Sequence, residues 1–543
     1  MVLELEKLPD NVSKLKEIIV SQSVRHSEKE QCYQSEVNRQ QTQIDHLHEQ
    51  IRLLRSKLFG RKTEQYVDSG QDQLRLFDEI EDAASSEEEG QQEVPVVAYR
   101  RKKRGRKPLP EDLPRIEKIH DLPEEEKVCA CGYELTKIGE EVSEKLDYVP
   151  AKLQVIKHIR YKYACKACEG VDSDGGAVKI APPPVQIIPK GIATPGLLAQ
   201  ILVSKFCDAL PFYRQEKIFA RLGIDLHRAT MANWAIKVSE QCRPLMQVLR
   251  SEILSGPLVN IDETTVQVLK EPDRANTTKS YMWVFRGGPP DKPALVFDYH
   301  PTRSGQVPKD YLNGYQGYIQ TDGYSGYDAL GAQKGIVHVG CWAHVRRKFF
   351  EVVQARKKNS RQKNKTGSGD VALSYIKKLY TIESMANRQD YSAEQIQQMR
   401  QEQAKPVLDE FKAWLEKRFV QTPPKGLLGK AISYALNQWP RLIIYLEDGQ
   451  LRPDNNLVEN AIRPFVIGRK NWLFSGHPRG AAASACLYSL IETAKANRLE
   501  PYLYFRFLFD RLPFAANENE FRSLLPQYLD RVEYLYDPLG AVH

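Results

Sequence analysis

Three acidic residues in the C-terminal half of the chain have the types and surroundings expected of a metal-dependent site for phosphodiester chemistry. Asp262 ends the buried half of one strand-like run, Asp322 closes another, and Glu459 lies in "DNNLVEN". Three converging carboxylates suit two divalent ions, one activating an attacking water or 3′-hydroxyl and the other stabilising the leaving oxygen. Oxygen ligands beside phosphates favour Mg²⁺ or Mn²⁺. We therefore predict that these three acids are catalytic and bind two such ions.

Each acid also has a simpler interpretation that involves no chemistry. A strand-end aspartate often begins a turn. Asn456 and Glu459 have the spacing of a capping box, so "DNNLVEN" could be a helix start and nothing more. The choice depends on whether the surrounding elements bring the three acids together.

The predicted order of elements does place them together. A meander of three strands is followed by a helix-compatible segment and two more strands, with the sequences "LVNIDETTVQVL", "SYMWVFRGG", "ALVFDYH", "GYIQTDGYSGY" and "IVHVGCW". This is the order of a ribonuclease H-like domain, in which the first and fourth strands are neighbours. Asp262 and Asp322 would then lie side by side, and a later helix would supply Glu459. The predicted fold class is multidomain α/β with a ribonuclease H-like catalytic core.

The interval between Asp322 and Glu459 is long for such a core. Residues 354–449 have the pattern of helices with a basic loop, "ARKKNSRQKNKTGSG". We predict a helical insertion that splits the core into residues 251–353 and 450–500, with a helical C-terminal segment at 501–543. The insertion could clamp DNA, carry dimer contacts or have no role of its own.

Basic side chains follow the fifth strand and the third acid. As candidates to contact DNA phosphates we name His344, Arg346, Arg463, Arg469, Lys470 and Arg479. For any one of them, solvation of a helix face is the simpler interpretation.

The N-terminal third predicts an oligomerisation helix and a charged linker. Within residues 1–63, apolar side chains recur at heptad spacing from about residue 35 to 59, at Val37, Ile44, Leu47, Ile51, Leu54 and Leu58. We predict a self-associating zipper, the alternative being a helix packed on its own chain.

Residues 64–115 are predicted to be a disordered linker. Inside it, Arg104 and Arg106 resemble an AT-hook for the minor groove, although a generic basic tether is an equal alternative.

Two small modules are predicted ahead of the catalytic core. Residues 116–180 contain two close cysteine pairs, which predict a small β domain with a tetrahedral zinc site formed by Cys129, Cys131, Cys165 and Cys168. Residues 181–250 have a helical pattern broken at Gly223, which is typical of a helix-turn-helix. Arg228 and Asn233 are then candidates to contact base edges, and an ordinary three-helix packing unit is the alternative.

Bulk properties exclude several classes of protein. The 543-residue chain is too long for a single core, and its net charge of +8 is mild. It has no apolar run long enough to cross a bilayer and no signal-peptide pattern. The nine scattered cysteines do not suit a secreted disulfide framework. We therefore expect a soluble, cytoplasmic protein with no membrane partner.

Several long motifs resemble those of transposases of the insertion sequence 66 family. They are "PTRSG", "TDGYSGY", "CWAHVRRKFF", "DNNLVENAIRPFVIGRKNWLFSG" and "YSLIETAKANRLEPY". The resemblance covers nearly the whole chain and implies a DDE transposase, with Asp262, Asp322 and Glu459 at the positions of the catalytic triad. It also implies that transposon ends and target DNA are the substrates, and that small accessory proteins from the same element take part.

A rival hypothesis is a non-catalytic DNA-binding regulator built from the zipper, the basic arm, the zinc module and the helix-turn-helix. The presence of all three acids favours the enzyme, because a regulator does not need them.

Overall fold

The computed structural model describes residues 11–59, 153–164, 178–180, 182–357 and 367–529. The chain divides into two compact units, one of Met1–Asp82 with Val185–His543 and the other of Ala83–Pro184. In the second unit, strands β1 (Lys162–Ala164) and β2 (Val178–Ile180) pair antiparallel. The four cysteines of the predicted zinc site, and Arg104 and Arg106 of the predicted arm, lie outside the described residues.

The first unit contains a five-stranded mixed sheet with the order β5-β4-β3-β6-β7. Strands β3, β4 and β5 form an antiparallel meander, and β6 and β7 run parallel to β3. The bounds are Leu258–Gln267 for β3, Lys279–Gly287 for β4, Ala294–His300 for β5, Gly317–Gln320 for β6 and Ile336–Val339 for β7. The predicted strands are therefore all present, and the first and fourth of them are neighbours, as expected.

Strand β4 is buried on both faces, which explains its continuous apolar run. Four successive residues of β4, Met282 to Phe285, are fully buried. The β5 edge is covered by a helix of small residues, in which the hydroxyl oxygens of Ser489 and Thr493 accept hydrogen bonds from the backbone of Phe297 (2.8 Å) and Leu295 (3.0 Å). Backbone donors that an open edge would expose are thus satisfied.

The described helices fall into three groups. The helices before the sheet are α1 (Val12–Phe59), α2 (Pro195–Phe206), α3 (Phe212–Arg221), α4 (Arg228–Gln241) and α5 (Arg243–Ser255). Within and after it come α6 (Gln306–Tyr311), α7 (Asp328–Gly331), α8 (Trp342–Lys357), α9 (Ser368–Arg388), α10 (Ala393–Met399), α11 (Lys405–Gln421) and α12 (Leu427–Leu442). The last group is α13 (Asn456–Trp472), α14 (Pro478–Ala496), α15 (Pro501–Arg511) and α16 (Glu518–Ser523).

Helices α2 to α5 share one hydrophobic core with the sheet and with α13 to α15. Helix α4 begins at Arg228, after a turn in which Gly223 has a φ of +79°. That left-handed conformation favours glycine, which explains the break in the helical pattern.

Helices α8 to α12 form a second core around Trp342, Phe349, Phe411 and Trp439. A π-helical segment, Arg400–Ala404, joins α10 to α11. The Arg400 side chain is 2% exposed, and its guanidinium donates hydrogen bonds to both carboxylate oxygens of Glu383. It also donates to the carbonyl oxygens of Tyr445, Asp448 and Leu451. One side chain thus fixes the segment that precedes α13.

The polypeptide leaves the sheet and returns to it at the same place. The Trp342 amide donates to the Pro453 carbonyl (2.9 Å), and the Asn455 amide donates to the Cys341 sulfur (3.3 Å). The 110-residue excursion through α8 to α12 therefore has adjacent ends.

Helix α1 is longer than the predicted zipper and contacts the rest of its unit. The Glu49 carboxylate accepts a hydrogen bond from the amide of Leu427 (3.1 Å), in the first turn of α12. Heptad side chains such as Val37 and Leu54 remain more than half exposed, and their pairing with a second helix stays a prediction. None of the described helices has the length and apolar character needed to span a membrane.

Candidate active site

Asp262 is the central acid of the site, because the other two predicted acids act on it electrostatically. Burial raises the pKa of the Asp262 carboxyl well above its usual range, and the charges of Glu459, Glu263 and Asp322 raise it further. Its Oδ1 accepts a hydrogen bond from the Glu263 amide (2.9 Å). The structure therefore brings together the three acids singled out in the sequence, although they come from separate elements.

Asp322 lies two residues beyond β6, in a tight loop. Its Oδ1 accepts a hydrogen bond from the Tyr324 amide (2.9 Å), so the turn interpretation of this aspartate and its place beside Asp262 are compatible. A Cβ at Gly323 would lie 2.5 Å from the Tyr434 hydroxyl of α12. A side chain there would have to displace Tyr434, so the loop is in close contact with the helical excursion.

Glu459 occupies the first turn of α13, and Asn455 fixes that turn against β3. The Asn455 side chain donates to the Ile261 carbonyl (2.9 Å) and accepts from the Asn260 amide group (2.9 Å), immediately beside Asp262. The predicted capping box is wrong, since the N-cap is Asn455 without a side-chain cap. Instead, Asp454 Oδ1 accepts a hydrogen bond from the Asn456 amide (3.2 Å), which leaves the Glu459 carboxylate free to point elsewhere.

The Glu459 carboxylate meets the start of α8. Its Oε1 lies 3.6 Å from His344 Nδ1, and its Oε2 accepts a hydrogen bond from Arg347 (3.3 Å). Cys341, His344 and Glu459 each place one potential metal-ligand atom within 4.8 Å of the others. Burial raises the pKa of the Cys341 thiol and lowers that of His344. Both groups are therefore held neutral, and the spacing Cys-x-x-His was the sequence signal that could have found this contact.

A fourth acid near the site, Glu263, was not singled out in the sequence. Its side chain is 2% exposed and forms an ion pair with Arg303 and a hydrogen bond with the Tyr327 hydroxyl. The Arg303 guanidinium also lies 3.7 Å from the centre of the Tyr324 ring. These contacts tie the "PTRSG" and "TDGYSGY" segments to β3 next to Asp262, which gives a structural reason for both motifs.

The predicted DNA-contacting residues have different surroundings. The predicted contact of Arg346 with DNA does not agree with the structure. Arg346 is 6% exposed and its guanidinium lies over the Phe350 ring, inside the protein. Its helix turns that position inward while Arg347, one residue later, reaches Glu459. His344 is partly buried beside Glu459, with 3.6 Å between its Nδ1 and Glu459 Oε1, and its contact with DNA stays a prediction.

The other candidates lie at or near the surface. Arg469 donates hydrogen bonds to the hydroxyls of Thr264 and Thr265 (3.2 Å each), and Arg479 pairs with Glu240 (2.8 Å). Arg463 is half-buried and Lys470 is exposed.

On α4, Asn233 is exposed, while Arg228 lies near Glu216 and the Tyr213 ring. Their contacts with DNA stay predictions.

The buried carboxyl of Asp454 makes the stability of the fold depend on pH, and a substitution that removes its charge should remove this dependence. Burial raises its pKa to about 6, above the unfolded value of about 3.9. The folded state therefore holds this proton more tightly, and the associated stability is present below about pH 4 and lost as the pH rises through about 6. Asp454→Asn keeps an acceptor for the Asn456 amide and removes the charge.

We expect Asp454→Asn to raise the melting temperature at pH 7.5, by an amount equivalent to at most about 3 kcal/mol, with the gain shrinking towards pH 5. Thermal melts from pH 5 to 8 measure this. The exposed Asp510→Asn is the matched control, and an equal effect of both substitutions would contradict the assignment to burial.

Comparisons with known proteins cover most of the chain. A family model described as "Transposase IS66 family" matches residues 190–483. Others match residues 126–169 ("zinc-finger binding domain of transposase IS66"), 46–117 ("Transposase C of IS166 homeodomain") and 489–527 ("IS66 C-terminal element"). Three similar proteins of Sinorhizobium fredii are named as uncharacterized: y4jD (35% identical, 77% of this chain and 81% of that protein), y4hP (32%, 83% and 83%) and y4qI (31%, 97% and 98%).

Proposed function

The chain belongs to the IS66 transposase family, and from that premise we propose that it cuts DNA at the ends of its insertion element and joins the freed 3′-hydroxyls to target DNA. The observation that carries this proposal is the convergence of Asp262, Asp322 and Glu459. Cleavage adds water across a phosphodiester: the water oxygen bonds to phosphorus, and the 3′-oxygen leaves and takes up a proton. In strand transfer, the new 3′-hydroxyl oxygen attacks a target phosphorus and displaces the 3′-oxygen of the target strand.

We propose a ribonuclease H-like core split by a helical insertion. The strand order β5-β4-β3-β6-β7 supports the core, and the separate hydrophobic cluster of α8 to α12 supports the insertion. The domain bounds predicted from the sequence are retained as part of this proposal, as is self-association through the heptads of α1. Small accessory proteins of the same element remain an expectation from the family resemblance.

The residues present fit divalent cations. Asp262 and Asp322 each lie two residues beyond the paired positions Asn260 and Gln320 of β3 and β6. Burial and the charges of Glu459 and Asp322 raise the pKa of Asp262, so a cation beside it would relieve the repulsion. Asp262, Asp322 and Glu459 would hold Mg²⁺ or Mn²⁺, two ions per site, which when bound supply activation of the attacking oxygen and stabilisation of the leaving oxygen. The chain's own residues fix the geometry, with Asn455 tying α13 to β3 and Arg347 offsetting part of the Glu459 charge.

We also propose that Cys129, Cys131, Cys165 and Cys168 hold one structural zinc, which the zinc-finger family match supports. Elemental analysis of the purified chain should find about one zinc, and Cys165→Ser should lose it. The matched control is Cys32→Ser, which changes an exposed free cysteine of α1. A metal-free wild-type protein, or full retention of zinc by Cys165→Ser, would contradict the four-cysteine site.

The test of the function is a cleavage assay on labelled duplexes that span the boundary of the encoding element. In Mg²⁺ we expect nicks at the boundary that leave 3′-hydroxyls, followed by their joining to added plasmid. A protein that binds these ends and never cuts them would instead be the regulator of the rival hypothesis.

A further inference from the structure

The turn after α13 holds a leucine in a backbone conformation that side chains rarely adopt. Leu473 has φ of +63° and ψ of −52°, and the Phe474 amide donates to the Trp472 carbonyl across it (2.8 Å). These values define the rarer of the two γ-turns, which is strained for any residue with a Cβ, by roughly 1–3 kcal/mol. A glycine here would relieve that strain, so the presence of a leucine at this position needs an explanation.

The turn displays its two apolar side chains to solvent. Leu473 is 64% exposed and Phe474 is 44% exposed, whereas Ser475 next to them is buried. The backbone of Ser475 pairs with the end of β3. Its amide donates a hydrogen bond to the Gln267 carbonyl (2.9 Å), and its carbonyl accepts one from the Leu269 amide (2.8 Å). The two exposed side chains, which we call the apolar tip, are therefore mounted on the rigid central strand.

Basic residues lie near the apolar tip in the chain and near its attachment to β3. Lys470 is exposed on the last turn of α13, and Lys270 is exposed just after Leu269. Arg469 lies between them and Asp262 on the β3 surface, where it contacts Thr264 and Thr265. Apolar side chains bordered by cations match DNA, because the cations meet phosphates while the apolar groups enter between bases.

The distance along β3 gives the register. Asp262 and Gln267 belong to one strand, so about 17 Å separates the candidate active site from the base of the apolar tip. DNA whose axis follows β3 would therefore meet the apolar tip roughly five base pairs from the site, at about 3.4 Å per base pair. We propose that Leu473 and Phe474 insert between base pairs of the element DNA, about five pairs from the cleaved bond, and unstack them there. This inference rests on the proposed function.

The experiment uses the full-length chain and duplex element ends that carry 2-aminopurine at single positions three to eight pairs from the cut. Without divalent metal, wild-type protein should raise the fluorescence at one or two adjacent positions. The Leu473→Gly/Phe474→Ala double variant should lose that signal and cut paired duplex roughly tenfold or more slower in Mg²⁺. Because glycine relieves the γ-turn strain, its melting temperature should not fall.

A duplex with two mismatches at the responsive positions should restore cutting by the variant, since its bases are already unstacked. The matched control is Phe514→Ala, which removes an exposed phenylalanine of the C-terminal segment and should leave both signals unchanged. The proposal is overturned if the double variant cuts paired duplex at the wild-type rate, if mismatches give no rescue, or if 2-aminopurine responds to wild-type protein at none of the labelled positions. Absence of cutting by wild-type protein would instead refute the proposed function.

Discussion

Asp262→Asn, Asp322→Asn and Glu459→Gln are each expected to lower DNA cleavage by roughly a thousandfold or more while leaving binding of element ends within about twofold. Each change is nearly isosteric and removes one metal-binding charge. Since the amide forms keep the local hydrogen bonds, such as that from the Tyr324 amide to residue 322, the fold should persist. For Asp262 the substitution also removes a carboxylate whose burial and acidic neighbours disfavour its charge, so thermal stability should not decrease.

Cleavage rates and gel shifts on the same duplex measure the two effects separately. Asp298→Asn is the matched control, because Asp298 lies on β5, pairs with His300 and takes no part in the carboxylate cluster. Wild-type-like cutting by any one of the three variants in Mg²⁺ would remove that residue from the proposed triad. Equal loss of binding and cutting would indicate that the acids serve the fold.

Arg400→Ala is expected to have the largest effect on stability, although the residue lies far along the chain from the acids. The change leaves the Glu383 carboxylate buried without its partner and removes three bonds to backbone carbonyls. Breaking a buried pair in this way typically lowers stability by about 3–5 kcal/mol. Because the lost carbonyl contacts fix the segment leading to α13, cleavage should fall with it.

The measurement is a thermal melt together with proteolysis of the 440–456 segment. Arg418→Ala, an exposed arginine on the neighbouring helix α11, is the control and should change little. Arg400→Ala combined with Glu383→Gln should recover part of the loss, since no unpaired charge stays buried. An unchanged melting temperature for Arg400→Ala would show that the buried pair does not hold the insertion together.

The strands could be predicted from the sequence because they depend on local patterns, and the proximity of two of the acids followed from the order of the strands. Apolar runs bounded by turn residues located the five strands, and the order of the elements then placed Asp262 beside Asp322. The inward rotation of Arg346 depends on where α8 starts and packs, which no single motif specifies. The contact between Arg347 and Glu459 joins residues more than a hundred positions apart, and local periodicity contains no information about it.

Two further features depend on tertiary packing. Helices α2 to α5 have the pattern of an independent unit, yet they complete the core beneath the sheet, because their apolar faces find a larger partner there. The γ-turn at Leu473 contains no glycine or proline to signal it. It is specified by the pairing of Ser475 with the end of β3, which is visible only once the strand is in place.

The adjacent ends of the excursion through α8 to α12 have a consequence for synthesis on the ribosome. Chains emerge N-terminus first at about 5–20 residues per second, so Asp322 is available roughly 7–30 s before Glu459, which follows ~140 residues later, and Asp262 is available earlier still. Until then the Asn455 contacts that anchor α13 to β3 cannot form. With the proposed triad, a nascent polypeptide is therefore catalytically silent until most of it has been translated.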